Sequence, residues 1–191
     1  MKTLHLDRDG VRGLSISESF LQQNLRSTLA GVIMTNQFII DGFVFGNSTI
    51  KGDDITEEII SMYEKLLRDD ISYILLSSTI LSMYNIIDIE KLYTHLEIPI
   101  IVASNNDSSG IKESIRSHFP ETFETKIKLY ESLGKREKIT LKSGIEIFFR
   151  YRGCTLEQCT KLLDKIIVHG SVPEQLRLAQ LLAKSVSKKN N

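Results

Sequence analysis

The sequence lacks several features that carry common functions. It contains no tryptophan and only two cysteines, and its four histidines are scattered singly. Cys154 and Cys159 lie five residues apart, which is neither a CxxC redox motif nor half of a zinc site, so buried or idle thiols are expected. No apolar run approaches the roughly 18 to 20 residues that cross a membrane. The first ten residues, MKTLHLDRDG, carry acids where a secretory signal needs an apolar run, so we expect a soluble, cytoplasmic protein without a membrane partner.

Net charge is also absent from the chain as a whole, but its two halves differ. Residues 1–108 contain 8 Lys and Arg against 15 Asp and Glu, a net charge of −7, whereas residues 109–191 contain 16 against 9, a net charge of +7. The basic half is consistent with a surface that faces phosphate, although attraction between the halves or between subunits explains the division equally well.

A basic turn at Lys135, Arg136 and Lys138 is a candidate contact for DNA or RNA, because a nucleic-acid backbone rewards clustered cations through counterion release. No aromatic residue is interleaved with these cations to stack on bases. Exposed, solubilising charge is therefore the alternative explanation of this turn.

Hydrophobic periodicity predicts an α/β protein. Three antiparallel strands are followed by alternating helices and strands, and the right-handed crossover rule makes the later strands parallel to the first. The predicted segments of this part are strands at 10–16, 28–35 and 38–45, a helix within 52–70, a strand at 72–76, a helix at 85–96 and a strand at 99–103. Two short helices, a hairpin and two terminal helices follow, and Thr155 with Gln158 and Ser171 with Glu174 each fit a capping box.

The chain is long enough to bury a core without disulfides or structural metals. We predict a single domain over 1–191, with a core at 1–104, a helical and hairpin extension at 105–186 and a frayed tail at 187–191.

Several spaced motifs carry a family resemblance over nearly the whole chain. They are AGVIM with IIDGFVF, then IKGDDITEEI, YNIIDI, IPIIVA and PEQLRLAQLLAKS. In this order they resemble a mostly archaeal uncharacterised family, domain of unknown function 99, which is similar to endonuclease V. The resemblance implies a ribonuclease H-like mixed sheet, and an ancestral site where carboxylates on neighbouring strands hold Mg²⁺ or Mn²⁺ for phosphodiester cleavage.

The sequence departs from that family at the positions where it carries acids. The first strand reads Gly13-Leu14-Ser15-Ile16-Ser17, and Ser77-Ser78 stands where the family has an Asp-Gly pair. Lys51 replaces an acidic residue and Gln180 a histidine. The implied fold makes the first and fourth strands neighbours, so we expect Ser15 and Ser77 side by side. Neutral hydroxyls cannot replace the carboxylates that hold Mg²⁺, and a serine nucleophile has no base near it in sequence.

Two acids that match the family, Asp54 and Asp88, are the candidate catalytic or metal-binding residues. Each also has a capping interpretation, Asp54 at the start of the first helix and Asp88 in the first turn of a helix capped by Asn85. Asn85 and Arg177 are candidate ligand contacts, because an amide at the strand ends or a guanidinium in the cleft can hold a phosphate. A salt bridge from Arg177 to Glu174 or Asp164 is equally available.

Three functions remain open at this point. The first is an endonuclease V-like protein that binds nucleic acid with a degraded metal site. The second is an active endonuclease that uses Asp54, Asp88 and Glu18 as shifted ligands. The third is a module without enzymatic activity, which binds a small molecule or assembles as a homo-oligomer, as the opposite charges of the two halves permit.

Overall fold

The computed structural model describes residue 4 and residues 10–21, 23–104 and 111–189. Its strands are β1 (Arg12–Ser19), β2 (Arg26–Thr35), β3 (Ile40–Thr49), β4 (Ile71–Leu76), β5 (Ile80–Leu81), β6 (Asn85–Ile86), β7 (Ile100–Ser104), β8 (Glu137–Thr140) and β9 (Glu146–Arg152). Its helices are α1 (Ile55–Glu64), α2 (Ile89–Leu96), α3 (Ile111–His118), α4 (Phe123–Ser132), α5 (Leu156–Ile166) and α6 (Glu174–Lys189).

Seven strands form one mixed sheet in the order β3-β2-β1-β4-β7-β9-β8. The first three strands are antiparallel, and β4 and β7 add parallel to β1, as the crossover rule predicts. The predicted C-terminal hairpin is β8 with β9, and it extends the same sheet because β9 pairs antiparallel with β7. The predicted α/β class and the order of its elements are therefore confirmed.

Helices cover both faces of the sheet. Helices α1 to α4 pack on one face around Leu14, Ile16 and Ile74, whereas α5 packs on the other around Tyr73 and Leu75. This alternation follows from the two-residue period of a strand. On β1 the period places its Leu and Ile toward α1, and its serines toward α6. The small side chains of β1 and of α6 allow this helix to lie close to the sheet, with Ala179 and Ala183 fully buried.

Several local predictions are corrected by the structure. The capping box at Thr155 is present, but Ser171 does not begin α6, because the carbonyl of Pro173 accepts the first helical hydrogen bond from the Arg177 N–H. Asn85 lies in β6, so α2 begins four residues later than predicted, at Ile89. Residues 187–189 of the predicted frayed tail belong to α6, where Ser187 is buried. The turn-rich loop predicted after Ser104 and the last two residues of that tail lie outside the described residues. Among the helices that are described, none is both long enough and apolar enough to cross a membrane.

Candidate functional site

A crevice of about 390 Å³ opens where the parallel strands end. Ser17, Ser77 and Ala103, from the ends of β1, β4 and β7, form its floor. Its wall is α6 with the segment before it, through Val172, Pro173, Leu176, Arg177, Gln180, Leu181 and Lys184. Open α/β sheets bind ligands outside the carboxyl ends of their strands, which makes this crevice the candidate functional site.

The expectation that Ser15 and Ser77 are neighbours is wrong by two residues. Ser15 lies opposite Leu75, and the Ser77 N–H donates to the carbonyl of Ile16 at 3.3 Å. The physical reason is an irregularity in the β1–β4 pairing at Arg12 and Gly13, together with a first strand that runs to Ser19 rather than ending at Ile16. Ser17 is therefore the residue of β1 that shares the crevice with Ser77.

Ser15 is buried beneath α6 and belongs to its anchorage. Its hydroxyl donates to Oε1 of Gln175 at 3.0 Å, and the same oxygen accepts a hydrogen bond of 2.9 Å from the Tyr73 hydroxyl. Gln175 is fully buried in the first turn of α6. The Tyr73 ring occupies the space beside Gly13, where a Cβ atom would stand 2.1 Å from the ring. This network fixes the helix that forms the wall of the crevice.

A second opening continues the crevice past the end of β1. It is lined by Glu18, Ser78 and Leu81, and it shares Ser77, Gln180 and Lys184 with the first. The Gln180 side chain donates to the carbonyl of Glu18 at 2.8 Å, so it joins α6 to the end of β1. Ser78 accepts a hydrogen bond from the Ile80 N–H within its own turn.

Glu18 is the acidic residue that lines the second opening, but its carboxylate faces a cluster of hydroxyls. Its two oxygens accept from the N–H and the hydroxyl of Ser82, at 2.7 and 2.8 Å. The Ser82 hydroxyl also contacts those of Ser27 and Ser48, at 2.6 and 2.5 Å. Burial raises the pKa of Glu18 above its ordinary value of 4.5, although the hydrogen bonds from Ser82 and Ser27 oppose this shift.

The turn that Glu18 holds is strained. Ser82, Met83 and Tyr84, between β5 and β6, have φ values of 47°, 52° and 73°, in the left-handed region that disfavours residues other than glycine. Several hydrogen bonds compensate, including one of 3.2 Å from the ammonium of the buried Lys126 to the Tyr84 carbonyl. The strained turn follows directly after Ile80 and Leu81, which line the second opening.

Asp54 and Asn85 contact each other, and neither caps the helix that the sequence predicts for it. Asp54 makes no side-chain cap to α1. Its carboxylate instead accepts from the Thr49 N–H at 3.0 Å, from the Thr49 hydroxyl at 2.7 Å and from the Asn85 amide at 2.7 Å. Burial of Asp54 opposes its ionisation, but the hydrogen bonds from Thr49 and Asn85 outweigh burial and lower its pKa. Asn85 is the residue that caps α1, since its oxygen accepts from the Ile55 N–H at 3.2 Å.

Asp88 is itself the N-cap of α2, and its side chain accepts from the Lys91 N–H at 2.9 Å. The prediction that Asn85 caps this helix, with Asp88 in its first turn, is therefore wrong, because α2 begins after both residues. The backbone N–H of Asp88 donates to the Thr56 hydroxyl at 3.0 Å. Thr56 connects the starts of α1 and α2, and the crevice lining includes neither Asp54 nor Asp88.

The predicted cations are divided between two places. Arg177 lines the crevice and forms the predicted ion pair with Glu174. The basic turn lies at the β8 edge of the sheet, where Lys138 forms a 2.8 Å ion pair with Glu146, and the crevice lining does not include it. Sequence reasoning missed Lys184. The available signal was its spacing of seven residues from Arg177, which places both on one side of a helix.

The residues of the crevice do not fit a divalent metal. Mg²⁺ and Mn²⁺ in two-metal sites need carboxylates that bridge the ions, whereas Ser17, Ser77 and Gln180 offer neutral oxygens and Arg177 and Lys184 add positive charge. The carboxylate of Glu18 is held by Ser82. Within residues 10–21, 23–104 and 111–189, no three His, Cys, Asp or Glu side chains are grouped as metal ligands.

Comparison with known proteins agrees with this architecture. The family model for endonuclease dU matches residues 9–187. The UPF0215 protein of Pyrobaculum calidifontis is 30% identical over 174 residues, which cover 91% of this chain and 95% of that protein. Relatives of this kind were expected from the resemblance to an uncharacterised archaeal family.

Solved structures show the same fold at low identity. A protein of unknown function from Archaeoglobus fulgidus is similar with a TM-score of 0.80 and 24% identity, over 92% of this chain and 98% of that one. Endonuclease V of Ciona intestinalis, in complex with a 24mer DNA containing an inosine followed by a ribo-adenosine, has a TM-score of 0.64 and 12% identity, over 100% and 92%. The predicted likeness to endonuclease V is thus confirmed for the fold. Because the family model spans nearly the whole sequence, the chain belongs to the endonuclease dU family.

Proposed function

We propose that this protein binds nucleic acid in the strand-end crevice through direct contacts to phosphate, and that it does not cleave phosphodiesters with a metal ion. One observation carries the proposal. The crevice contains Ser77, one of the two positions where the ribonuclease H-like resemblance expects metal-binding carboxylates, and it is lined by hydroxyls, an amide and two cations. The Ser17 hydroxyl and the Gln180 amide already donate to main-chain carbonyls. The Ser77 hydroxyl and the cations Arg177 and Lys184 suit a phosphate, which accepts hydrogen bonds and is attracted by cations.

The charge distribution supports the same partner. Both cations of the crevice belong to the basic half of the chain, and no described carboxylate forms an ion pair with Lys184. The DNA complex of the similar endonuclease V supports DNA or RNA as the partner class. The alternative function, cleavage by Asp54 and Asp88 with Mg²⁺ or Mn²⁺, stays a prediction. It requires the Asp54 carboxylate to give up its hydrogen bonds from Thr49 and Asn85.

Binding is tested by fluorescence anisotropy with labelled single strands and duplexes of DNA and RNA in EDTA, over a series of salt concentrations. We expect binding to persist in EDTA, and the logarithm of the association constant to fall linearly with the logarithm of the salt concentration. The double substitution Arg177→Gln with Lys184→Gln should weaken it about tenfold, and should reduce the salt slope by about 0.7 for each lost contact to a single strand.

Lys112→Gln is the matched control, because Lys112 is an exposed cation on α3 that pairs with Glu131 at 3.2 Å and does not line the crevice. This variant should bind like the unmodified protein. Binding that disappears in EDTA, or that is unchanged when both crevice cations are removed, contradicts the proposal.

A further inference from the structure

The outer edge of the sheet carries a sequence with internal symmetry. Residues 41–47 of β3 read Asp-Gly-Phe-Val-Phe-Gly-Asn, a palindrome around Val44 except for its end pair of Asp and Asn. Among the strands that the structure describes, β2 alone pairs with β3. Its other edge therefore presents main-chain groups that a further strand can pair with.

Charged side chains protect this edge at both ends of the palindrome. The Arg68 guanidinium donates to the Asp41 carbonyl at 3.1 Å. At the other end, Arg26 donates to the Asn47 carbonyl at 2.7 Å, and Glu58 accepts from the Asn47 N–H at 3.2 Å. These bonds show that the polar groups of residues 41 and 47 point away from β2.

The middle of the edge is open and aromatic. Alternate residues of a strand point their polar groups the same way, so those of Phe43 and Phe45 also face outward, and no side chain of the described residues caps them. The two rings are 49% and 43% exposed. Both lie on the α6 face, because they are opposite Val32 and Ala30 of β2. An exposed apolar edge of this kind is rare in a monomer, because it invites pairing.

We propose that two copies of this chain pair antiparallel through β3, with a two-fold axis at Val44. Each Phe43 then lies opposite Phe45 of the partner subunit, and the two residues exchange both of their main-chain hydrogen bonds. Four phenylalanine rings form one cluster on the α6 face, and glycine meets glycine beside it. The contact is isologous, as two-fold dimers require.

The rims of this contact have complementary charge. Asp41 lies opposite Asn47 of the partner subunit. Arg68, which bonds the Asp41 carbonyl, is therefore close to Glu58 of the partner subunit, which bonds Asn47 there. Asp41 likewise faces Arg26 of the partner subunit, and the axis repeats each pair. An extended peptide from another protein needs no symmetry about Val44, and for this reason we assign the edge to a second copy of this chain. This pairing does not depend on nucleic-acid binding in the crevice.

A single cysteine on the proposed axis tests the pairing and its register together. Residues directly opposite in a non-hydrogen-bonded antiparallel pair have Cα atoms about 4.5 Å apart, within the range of a disulfide. Val44→Cys should therefore form a covalent dimer under mild oxidation. Ile39→Cys is the control, because Ile39 is 61% exposed but lies outside the palindrome, and it should remain monomeric under denaturing, non-reducing electrophoresis. Equal cross-linking of both variants overturns the proposal.

Light scattering after size exclusion, over a wide range of protein concentration, measures the same association without a cross-link. The unmodified chain should form dimers, and Phe45→Lys should weaken them by about 30-fold or more, as expected for a central aromatic contact. Ile39→Lys should change the dimer little. A chain that is monomeric at the highest soluble concentration overturns the proposal, as does a Phe45→Lys variant that dimerises normally.

Discussion

The double substitution Ser17→Asp with Ser77→Asp is expected to make the stability of this protein depend on a divalent cation. Two carboxylates at these neighbouring strand ends would lie close together, one in the buried position of Ser17 and one in the half-buried position of Ser77, so they would repel each other and lose hydration. Without metal we expect the free energy of unfolding to fall by about 3 kcal/mol. With Mn²⁺ at about 100 times its dissociation constant, binding to the folded state should restore about 2.7 kcal/mol.

The measurement is urea denaturation with Mn²⁺ and with EDTA. Ser17→Asn with Ser77→Asn is the matched control, because it has the same shape without the charge and should not respond to Mn²⁺. The unmodified protein should not respond either, since its crevice offers neutral oxygens and cations. Equal stabilisation of the unmodified protein and the aspartate variant by Mn²⁺ would show that the crevice already binds the metal.

Gln175→Leu is expected to be among the most destabilising single changes in the chain. It removes the oxygen that accepts hydrogen bonds from Ser15 and Tyr73, both fully buried, and each donor left without a partner costs about 1 to 3 kcal/mol. We expect a loss of about 3 to 4 kcal/mol in the free energy of unfolding, measured by urea denaturation.

Removing the two hydroxyls that lose their acceptor shows whether the loss of stability comes from unsatisfied donors or from poor packing of the new leucine side chain. The triple variant with Ser15→Ala, Tyr73→Phe and Gln175→Leu leaves neither hydroxyl unsatisfied, so it should recover much of the loss. If the triple variant is less stable than Gln175→Leu by the sum of the separate effects, the network does not act as described.

The sequence predicts the order of the large elements because each is long enough to show its period. The helix α1 repeats its apolar residues at helical spacing, and the strands β4 and β7 are short apolar runs. The strands β5 and β6 have two residues each, too few for any period, and they were missed. Their absence from the prediction also moved the start of α2 back to Asn85.

The site was predicted less well because contacts distant in sequence decide it. Ser77 was placed correctly at a strand end, but its partner on β1 depends on an irregularity in the pairing that no local pattern reveals. Asp54 has the local sequence of a cap, yet its carboxylate accepts a hydrogen bond from Asn85, 31 residues away. The Asn85 side chain caps α1 instead. Gln175 has the local sequence of an ordinary first-turn residue, because its partners Ser15 and Tyr73 lie on strands distant in sequence.

The strained turn at Ser82 shows the same limit. Its three residues carry side chains, so their composition gives no sign of a left-handed backbone. The conformation depends on Glu18, which comes from a strand 64 residues earlier. Strain of this kind is often found beside functional sites, and here it follows Leu81, which lines the second opening.

Among the described residues, those that line this crevice include none of the anionic groups that a metal-dependent nuclease needs. Cleavage is best measured with the unmodified protein in stoichiometric excess over labelled inosine-, uracil- and flap-containing substrates, with Mg²⁺, Mn²⁺ or EDTA. We expect bound but intact nucleic acid under all three conditions. Cleavage that requires the metal, and that is lost in Asp54→Asn or Asp88→Asn while binding remains, would contradict this expectation.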